Sequence, residues 1–141
     1  LAHKVVAVRF GQVAEFRADY NMLVLTLLSA MAGFLVAAPG AVHHRGRVSL
    51  RERGLIALAG PVTNLALVVP FAALLLAPGE LVQFVGRTGL LINALLAAFN
   101  MAPYGPLDGR TVVQWNKAVF VAVFVPSLAL ALFVFVGPLV F

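Results

Sequence analysis

The chain has 141 residues, of which 62% are hydrophobic and only 11% are charged, whereas an ordinary soluble domain is about 45–50% apolar and about 25% charged. This composition excludes an ordinary soluble domain and predicts a protein embedded in a lipid bilayer. The net charge of +5 does not indicate nucleic-acid binding, because the basic residues lie between apolar runs and not on one aromatic-rich face. The chain has no cysteine, which excludes disulfides, thiol catalysis and cysteine-ligated zinc within it.

The opening segment, residues 1–20, mixes apolar side chains with charged ones such as Lys4, Arg9 and Glu15. Gly11 interrupts this segment, and glycine is the residue that most often follows the last turn of a helix. We therefore predict the end of a helix that stops at Gly11, followed by a polar segment at the membrane surface.

Four uncharged runs make up most of the remaining chain: residues 21–42, 54–79, 88–107 and 118–141. A helix rises about 1.5 Å per residue and the hydrocarbon core is about 30 Å thick, so each run is long enough to cross it. Because lipid cannot hydrogen-bond the backbone, each run is predicted to be helical. The expected fold is all-α, with about four transmembrane helices and the end of an N-terminal helix in one membrane-embedded domain covering residues 1–141.

A basic segment separates the first two runs. Turn residues at 38–40 are followed by His43 and His44, and then by four arginines, Arg45, Arg47, Arg51 and Arg53. The segment is predicted to be an interfacial loop on the cytoplasmic side, where positively charged loops are retained. We expect His43 and His44 to face solvent or lipid headgroups; the alternative is a second metal site or a pH-sensitive gate.

Polar residues inside the apolar runs are the candidate functional residues, because they are costly at membrane depth. They are Asn64, Asn93, Asn100 and Asp108. Residues 100–109 include prolines and glycines that cannot continue a regular helix, and an interrupted helix is tolerated in a membrane only where it faces protein or a water-filled cavity. We therefore predict that residues 100–109 form the wall of a cavity. For Asn64 and Asn93, hydrogen bonding between helices is the alternative.

Asp108 needs a partner in such a wall. A metal ion or a buried cation would meet that need, whereas the simpler interpretation is that Asp108 caps the helix that follows. His3 offers an imidazole, and imidazole and carboxylate are both zinc ligands, but a catalytic zinc takes three protein ligands. The third would be His43, His44 or a residue before Leu1.

Two segments resemble the signatures of a known family. Residues 60–64 (Gly-Pro-Val-Thr-Asn) and 100–109 (Asn-x-x-Pro-x-x-Pro-Leu-Asp-Gly) resemble the paired motifs of the site-2 protease family of intramembrane zinc metalloproteases. In that family the two motifs follow a His-Glu-x-x-His helix. The resemblance implies that residues 1–3 end this first motif, with its other His and its Glu directly before Leu1.

The resemblance implies a zinc-dependent intramembrane endopeptidase that hydrolyses membrane-spanning or membrane-associated proteins through a metal-activated water. It makes His3 and Asp108 zinc ligands, with the Glu before Leu1 as general base. Asn100 and Asn64 would donate hydrogen bonds to the oxyanion or to the substrate backbone. The expected location is the cell membrane, as an integral multi-pass protein, and the oligomeric state is left open.

The sequence departs from the family pattern at two places and leaves other functions open. His43 and His44 stand where an aromatic or aliphatic residue is expected, and Arg110 stands where many members have a small residue. The alternatives are a proteolytically inactive homologue, a small transporter or channel component with Asp108 in a cation site, and a structural membrane component without a site.

Overall fold

A computed structural model describes residues 2–18, 40–45 and 48–137, with residues 13–18 and 40–45 described by their backbone alone. The chain divides into two compact units, His3–Arg47 and Val48–Phe141. In chain order the elements are α1 (Ala2–Arg9), β1 (Val13–Ala18), β2 (Gly40–Arg45), α2 (Leu50–Leu74), α3 (Glu80–Asn100), α4 (Asp108–Trp115) and α5 (Lys117–Val136).

Helix α1 of the first unit ends as the sequence predicts. Gly11 has a positive φ of 69°, and its N–H donates to the Val8 carbonyl at 2.9 Å. The Gln12 N–H donates to the Ala7 carbonyl at 3.0 Å. These two bonds form the Schellman arrangement, in which a left-handed glycine closes the helix. The prediction that the helix stops at Gly11 is confirmed.

The first unit also contains a pair of antiparallel strands that the sequence analysis did not predict. Strand β1 pairs with β2 in a register that sets Glu15 opposite His43 and Ala18 opposite Gly40. The predicted interfacial loop at His43 and His44 is thus wrong in its local structure, because both lie in β2. The short polar–apolar alternation at residues 14–17 is a strand signal, and pairing gives the polar backbone groups partners outside a helix.

Three helices of the second unit are long and apolar enough to cross a membrane: Leu50–Leu74, Glu80–Asn100 and Lys117–Val136. The helical prediction is confirmed for three of the four runs. Of the first run, residues 21–39 lie outside the described residues and residues 40–42 belong to β2.

Helix α3 starts at Glu80 and not at Thr88, so it includes Arg87. Arg87 is exposed, and a long arginine side chain can lie along apolar surface while its charged end reaches polar surroundings.

Helix α2 begins with a reciprocal capping box. The Glu52 backbone N–H donates to Ser49 Oγ at 3.2 Å, and the Ser49 backbone N–H donates to Glu52 Oε2 at 2.8 Å. This exchange satisfies groups that the first turn of a helix otherwise leaves unpaired. The start of α2 is therefore fixed within the basic segment, and Arg51 and Arg53, predicted to lie in a loop, belong to the first turn of this helix.

Helices α2 and α3 run antiparallel and approach closely at two glycines. A Cβ on Gly86 would stand 2.9 Å from the Phe71 carbonyl oxygen, and one on Gly89 would overlap the Phe71 ring. Small residues allow membrane helices to approach closely enough for van der Waals contact to hold them together. On the same helix, Leu90, Ala94 and Ala98 form a buried cluster with Ala131 and Val134 of α5.

A second buried cluster lies toward the other end of these helices. Its buried members come from α2, from the segment after α3, from α4 and from α5: Ala57, Met101, Val112 and Phe120. The Trp115 ring also packs directly on Gly54, where a Cβ would overlap it. This cluster fixes the short helix α4 against the start of α2.

We expect Gly54→Ala to destabilise the protein through Trp115. The added methyl group overlaps the ring, and overpacking of this kind costs about 1–3 kcal/mol in free energy of unfolding. In a Trp115→Leu background the same change should be neutral or stabilising, since alanine exceeds glycine in helix propensity by about 1 kcal/mol. Thermal unfolding of the four variants in detergent measures the coupling. An equal loss in both backgrounds would show that the ring contact is not the cause.

Candidate metal and catalytic site

The site is built around the α3–α4 junction, residues 100–109. Helix α3 ends at Asn100 and α4 begins at Asp108. The Ala102 N–H still donates to the Phe99 carbonyl at 3.0 Å, so the last turn of α3 tightens before the chain leaves the helix. The prediction that residues 100–109 interrupt the helix is confirmed.

A tight turn closes the middle of the junction. Gly105 has a φ of 59°, and the Leu107 N–H donates to the Tyr104 carbonyl at 3.3 Å. Gly105 tolerates this left-handed conformation at little cost, and Pro106 fixes the next position of the turn. Tyr104 is 82% exposed, so the turn presents its side chain outward.

The two ends of the junction touch through their backbones. Met101 is fully buried, and a Cβ on Gly109 would overlap the Met101 carbonyl. Only glycine at position 109 lets the two backbone segments of the junction come this close. Asn100 and Asp108 are the residues directly before Met101 and Gly109, so their backbones lie on the two sides of this contact.

Asp108 is the first residue of α4, half-buried. The interpretation that Asp108 is the N-cap is wrong, because Leu107 occupies the N-cap position and makes no side-chain cap bond. A carboxylate in the first turn of a helix is favoured by the helix dipole.

Asn64 lies on the face of α2 that packs toward α3. It is half-buried and follows the helical spacing set by Ala57 and Pro61 on one side and by Val68 and Phe71 on the other. Phe71 packs at Gly89, and Ala57 shares a cluster with Met101. Asn64 lies seven residues from Ala57 and seven from Phe71, and therefore about 10 Å along the α2 axis from each of these contacts.

Asn93 has a local partner. It is buried, with 8% of its surface exposed, and its Nδ2 donates to the Gly89 carbonyl at 2.8 Å within α3. The expected hydrogen bond between helices is thus replaced by one within its own helix. Nothing in this geometry gives Asn93 a catalytic role.

His3 lies in α1 of the first unit and is half-buried. Among residues 2–12 and 48–137, whose side chains the structure describes, no group of three His, Asp or Glu side chains is placed to hold a metal ion. The donor types of His3 and Asp108 fit zinc, but a catalytic site takes a third protein ligand. The side chains of His43 and His44 lie outside the description, so their part in a metal site stays a prediction.

Two contacts at the junction were not predicted from the sequence: the backbone contact of Met101 with Gly109 and the hydrogen bond of Arg110 to Gly105. The only sequence feature that could have indicated the first contact is the glycine directly after Asp108. Arg110 departs from the family pattern without disturbing the site, because its side chain is exposed. Its Nη1 donates a long hydrogen bond of 3.5 Å to the Gly105 carbonyl, which ties the turn to the first turn of α4.

Comparison with known proteins finds two similar chains. The protein named "Putative zinc metalloprotease MJ0611" from Methanocaldococcus jannaschii is 41% identical over 137 residues, covering 94% of this chain and 72% of that protein. The protein named "Putative zinc metalloprotease YwhC" from Bacillus subtilis is 34% identical over 134 residues, covering 81% of this chain and 61% of that protein. No family model and no solved structure matches the chain.

We expect Gly109→Ala to disrupt the junction more than Gly105→Ala. A methyl group at 109 displaces the Met101 backbone, whereas one at 105 meets no atom within 4 Å. The change at 105 costs only the left-handed conformation, roughly 1–2 kcal/mol, while overpacking at 109 costs about 1–3 kcal/mol or more because backbone must move. Thermal unfolding and limited proteolysis at the junction compare the two. Equal stability of the variants would contradict the contact.

Proposed function

Because the chain belongs to the zinc metalloprotease family of its Methanocaldococcus jannaschii relative, we propose that it acts as an intramembrane endopeptidase of the site-2 protease type. Its proposed substrates are membrane-spanning or membrane-associated proteins. The observation that carries the proposal is the α3–α4 junction, which interrupts the helical run between Asn100 and Asp108 beside helices long enough to span a membrane.

An interrupted helix supports hydrolysis inside a membrane for a physical reason. Peptide hydrolysis needs water and polar groups, which the hydrocarbon core lacks. The junction supplies backbone groups that no helix uses, together with an amide and a carboxylate. Pro103 and Tyr104 are exposed, so an unwound substrate segment has a surface to lie against.

His3 and Asp108 are the proposed zinc ligands of this chain. Their nitrogen and oxygen donors are ordinary zinc ligands, and the half-buried position of Asp108 at the start of α4 keeps its carboxylate next to the junction. A zinc ion bound by such ligands supplies a water whose pKa is lowered toward about 7 and polarises the scissile carbonyl. The third ligand and the general base are proposed to be the His and Glu of a His-Glu-x-x-His motif that ends at His3.

Asn100 is the proposed donor to the reacting carbonyl. Its side chain carries two N–H groups, and it is the last residue of α3, directly before Met101, whose carbonyl approaches Gly109. A donor aimed at the developing oxyanion is worth about 3 kcal/mol of barrier. Asn64 lies further along the bundle, a position better suited to holding the substrate backbone than to contacting the reacting atoms.

Asp108→Asn should remove both zinc and activity. The amide is a poor zinc ligand. Mutation of a residue that only hydrogen-bonds to a metal ligand lowers metal affinity about 10–100-fold, so loss of the ligand itself should lower it more than about 100-fold. Glu80→Gln is the matched control, because it is the same chemical change at an exposed residue where α3 begins. Zinc per protein and cleavage of a membrane-spanning reporter in proteoliposomes are measured on the product of the complete gene. Full zinc content and cleavage in Asp108→Asn would refute the proposed ligand.

Asn100→Ala should leave zinc in place and slow catalysis. Removal of one oxyanion donor lowers kcat about 100–1,000-fold, while the metal ligands stay intact. Asn93→Ala is the control, since its amide bonds within α3 and its loss should change stability without a comparable change in kcat. Wild-type kcat in the Asn100 variant would remove it from the mechanism, and loss of zinc would assign it a structural role.

A further inference from the structure

The second unit has two ends that differ in charge. The antiparallel packing of α2 and α3 sets the start of α2 beside the α3–α4 junction, and the contact of Gly54 with Trp115 holds α4 there. Helix α5 starts directly after α4, so its first residue lies at the same end. We call this end, made of the start of α2, the junction, α4 and the start of α5, the basic end.

The described cations of this unit are concentrated at the basic end. Arg51, Arg53, Arg110 and Lys117 all lie there, and all four are exposed. The acidic residues at this end are Glu52 and Asp108, and Glu52 accepts the Ser49 backbone and hydroxyl hydrogen bonds of the capping box. The opposite end of α3 carries one charge of each sign, Glu80 and Arg87. The surplus of positive charge is therefore confined to one end.

The position of these cations indicates what they meet. Arg51, Arg53 and Lys117 lie within the first turns of helices that are long and apolar enough to cross a membrane. Charges at the ends of such helices lie at the depth of the lipid headgroups. In the sequence, Arg45 and Arg47 precede α2 directly, and clusters of four to eight basic residues beside a membrane helix are typical of binding to anionic lipids.

Trp115 adds an aromatic side chain to the same surface. It is half-buried on Gly54 and precedes Lys117 by two positions. Tryptophan prefers the headgroup layer, because one part of its ring is apolar and its N–H is polar. An aromatic side chain among exposed cations suits the headgroup layer of a bilayer, where anionic phosphates lie next to the apolar lipid chains.

We propose that the basic end binds anionic phospholipid headgroups, with Arg51, Arg53 and Lys117 as the main contacts around Trp115. The bound lipid phosphates offset the mutual repulsion of these cations. They also hold the start of α2 and α4 at a defined depth, next to the junction. This binding does not depend on proteolysis.

The single tryptophan of the chain makes the proposal directly measurable. The purified chain is reconstituted in phosphatidylcholine vesicles that contain rising fractions of brominated phosphatidylglycerol or, in parallel, brominated phosphatidylcholine. Bromine quenches Trp115 only when the lipid lies close to it, so the two curves give the preference for the anionic lipid. We expect phosphatidylglycerol to be preferred several-fold, with the preference falling as salt rises.

The triple variant Arg51→Gln, Arg53→Gln, Lys117→Gln should lose this several-fold preference almost completely, since one basic side chain near the membrane surface already contributes up to about fivefold. Arg87→Gln, at the opposite end of α3, should retain it. Quenching by brominated phosphatidylcholine should be the same in all variants, which shows that Trp115 has kept its place. Equal quenching by both lipids in the wild type, or an unchanged preference in the triple variant, would overturn the proposal. Loss of the preference on adding inorganic phosphate at constant ionic strength would assign the surface to free phosphate instead.

Discussion

The contact between the Met101 carbonyl and Gly109 is the constraint on which the arrangement of the site depends. It closes the α3–α4 junction, so that the backbone leaving α3 at Met101 meets the backbone at the first turn of α4. Met101 anchors one side of this contact because it is fully buried in the cluster with Ala57 and Val112. Asn100 and Asp108 directly precede the two residues of this contact, so the closure sets where their backbones lie.

Glycines have different roles in the helix packing and in the site. At Gly86 and Gly89 the missing side chain lets α2 and α3 pack closely, so these two glycines set the distance between the helices. At Gly109 the missing side chain lets two backbone segments touch, so this glycine sets the position of the neighbouring Asp108 backbone. Gly11 and Gly105 serve a third purpose, since their positive φ values end a helix and form a turn. Apolar composition alone would not distinguish these roles.

The sequence predicts the parts of this protein whose physics is local. A long uncharged run must be helical in lipid, which accounts for α2, α3 and α5, and a left-handed glycine ends α1 where expected. The interruption at residues 100–109 is equally local, because proline and glycine act on their own turn. The resemblance to a zinc protease family agrees with the relatives' names as far as zinc metalloprotease, while the roles of His3, Asn64, Asn100 and Asp108 remain predictions.

Other features could not be read from the sequence because they depend on distant partners. The β1–β2 pair joins segments separated by residues 19–39, and each strand alone is too short to carry a strong signal. The predicted start of α3 is too late, because the uncharged run begins only after Arg87. Arg87 lies inside the helix, since its long side chain can extend to polar surroundings. The position of Asp108 beyond the N-cap likewise depends on where the turn ends.

The position of the junction has a consequence for what a substrate must do. The junction lies where α3 ends and not at the middle of the helix, so in a chain that crosses a bilayer through α3, a peptide bond that reaches Asp108 would lie near one membrane surface. For the proposed endopeptidase, a spanning substrate would need to unwind only its last turns at that surface. Cleavage there would divide a substrate unequally, releasing one fragment with a short apolar end into water and leaving most of the hydrophobic segment in the bilayer.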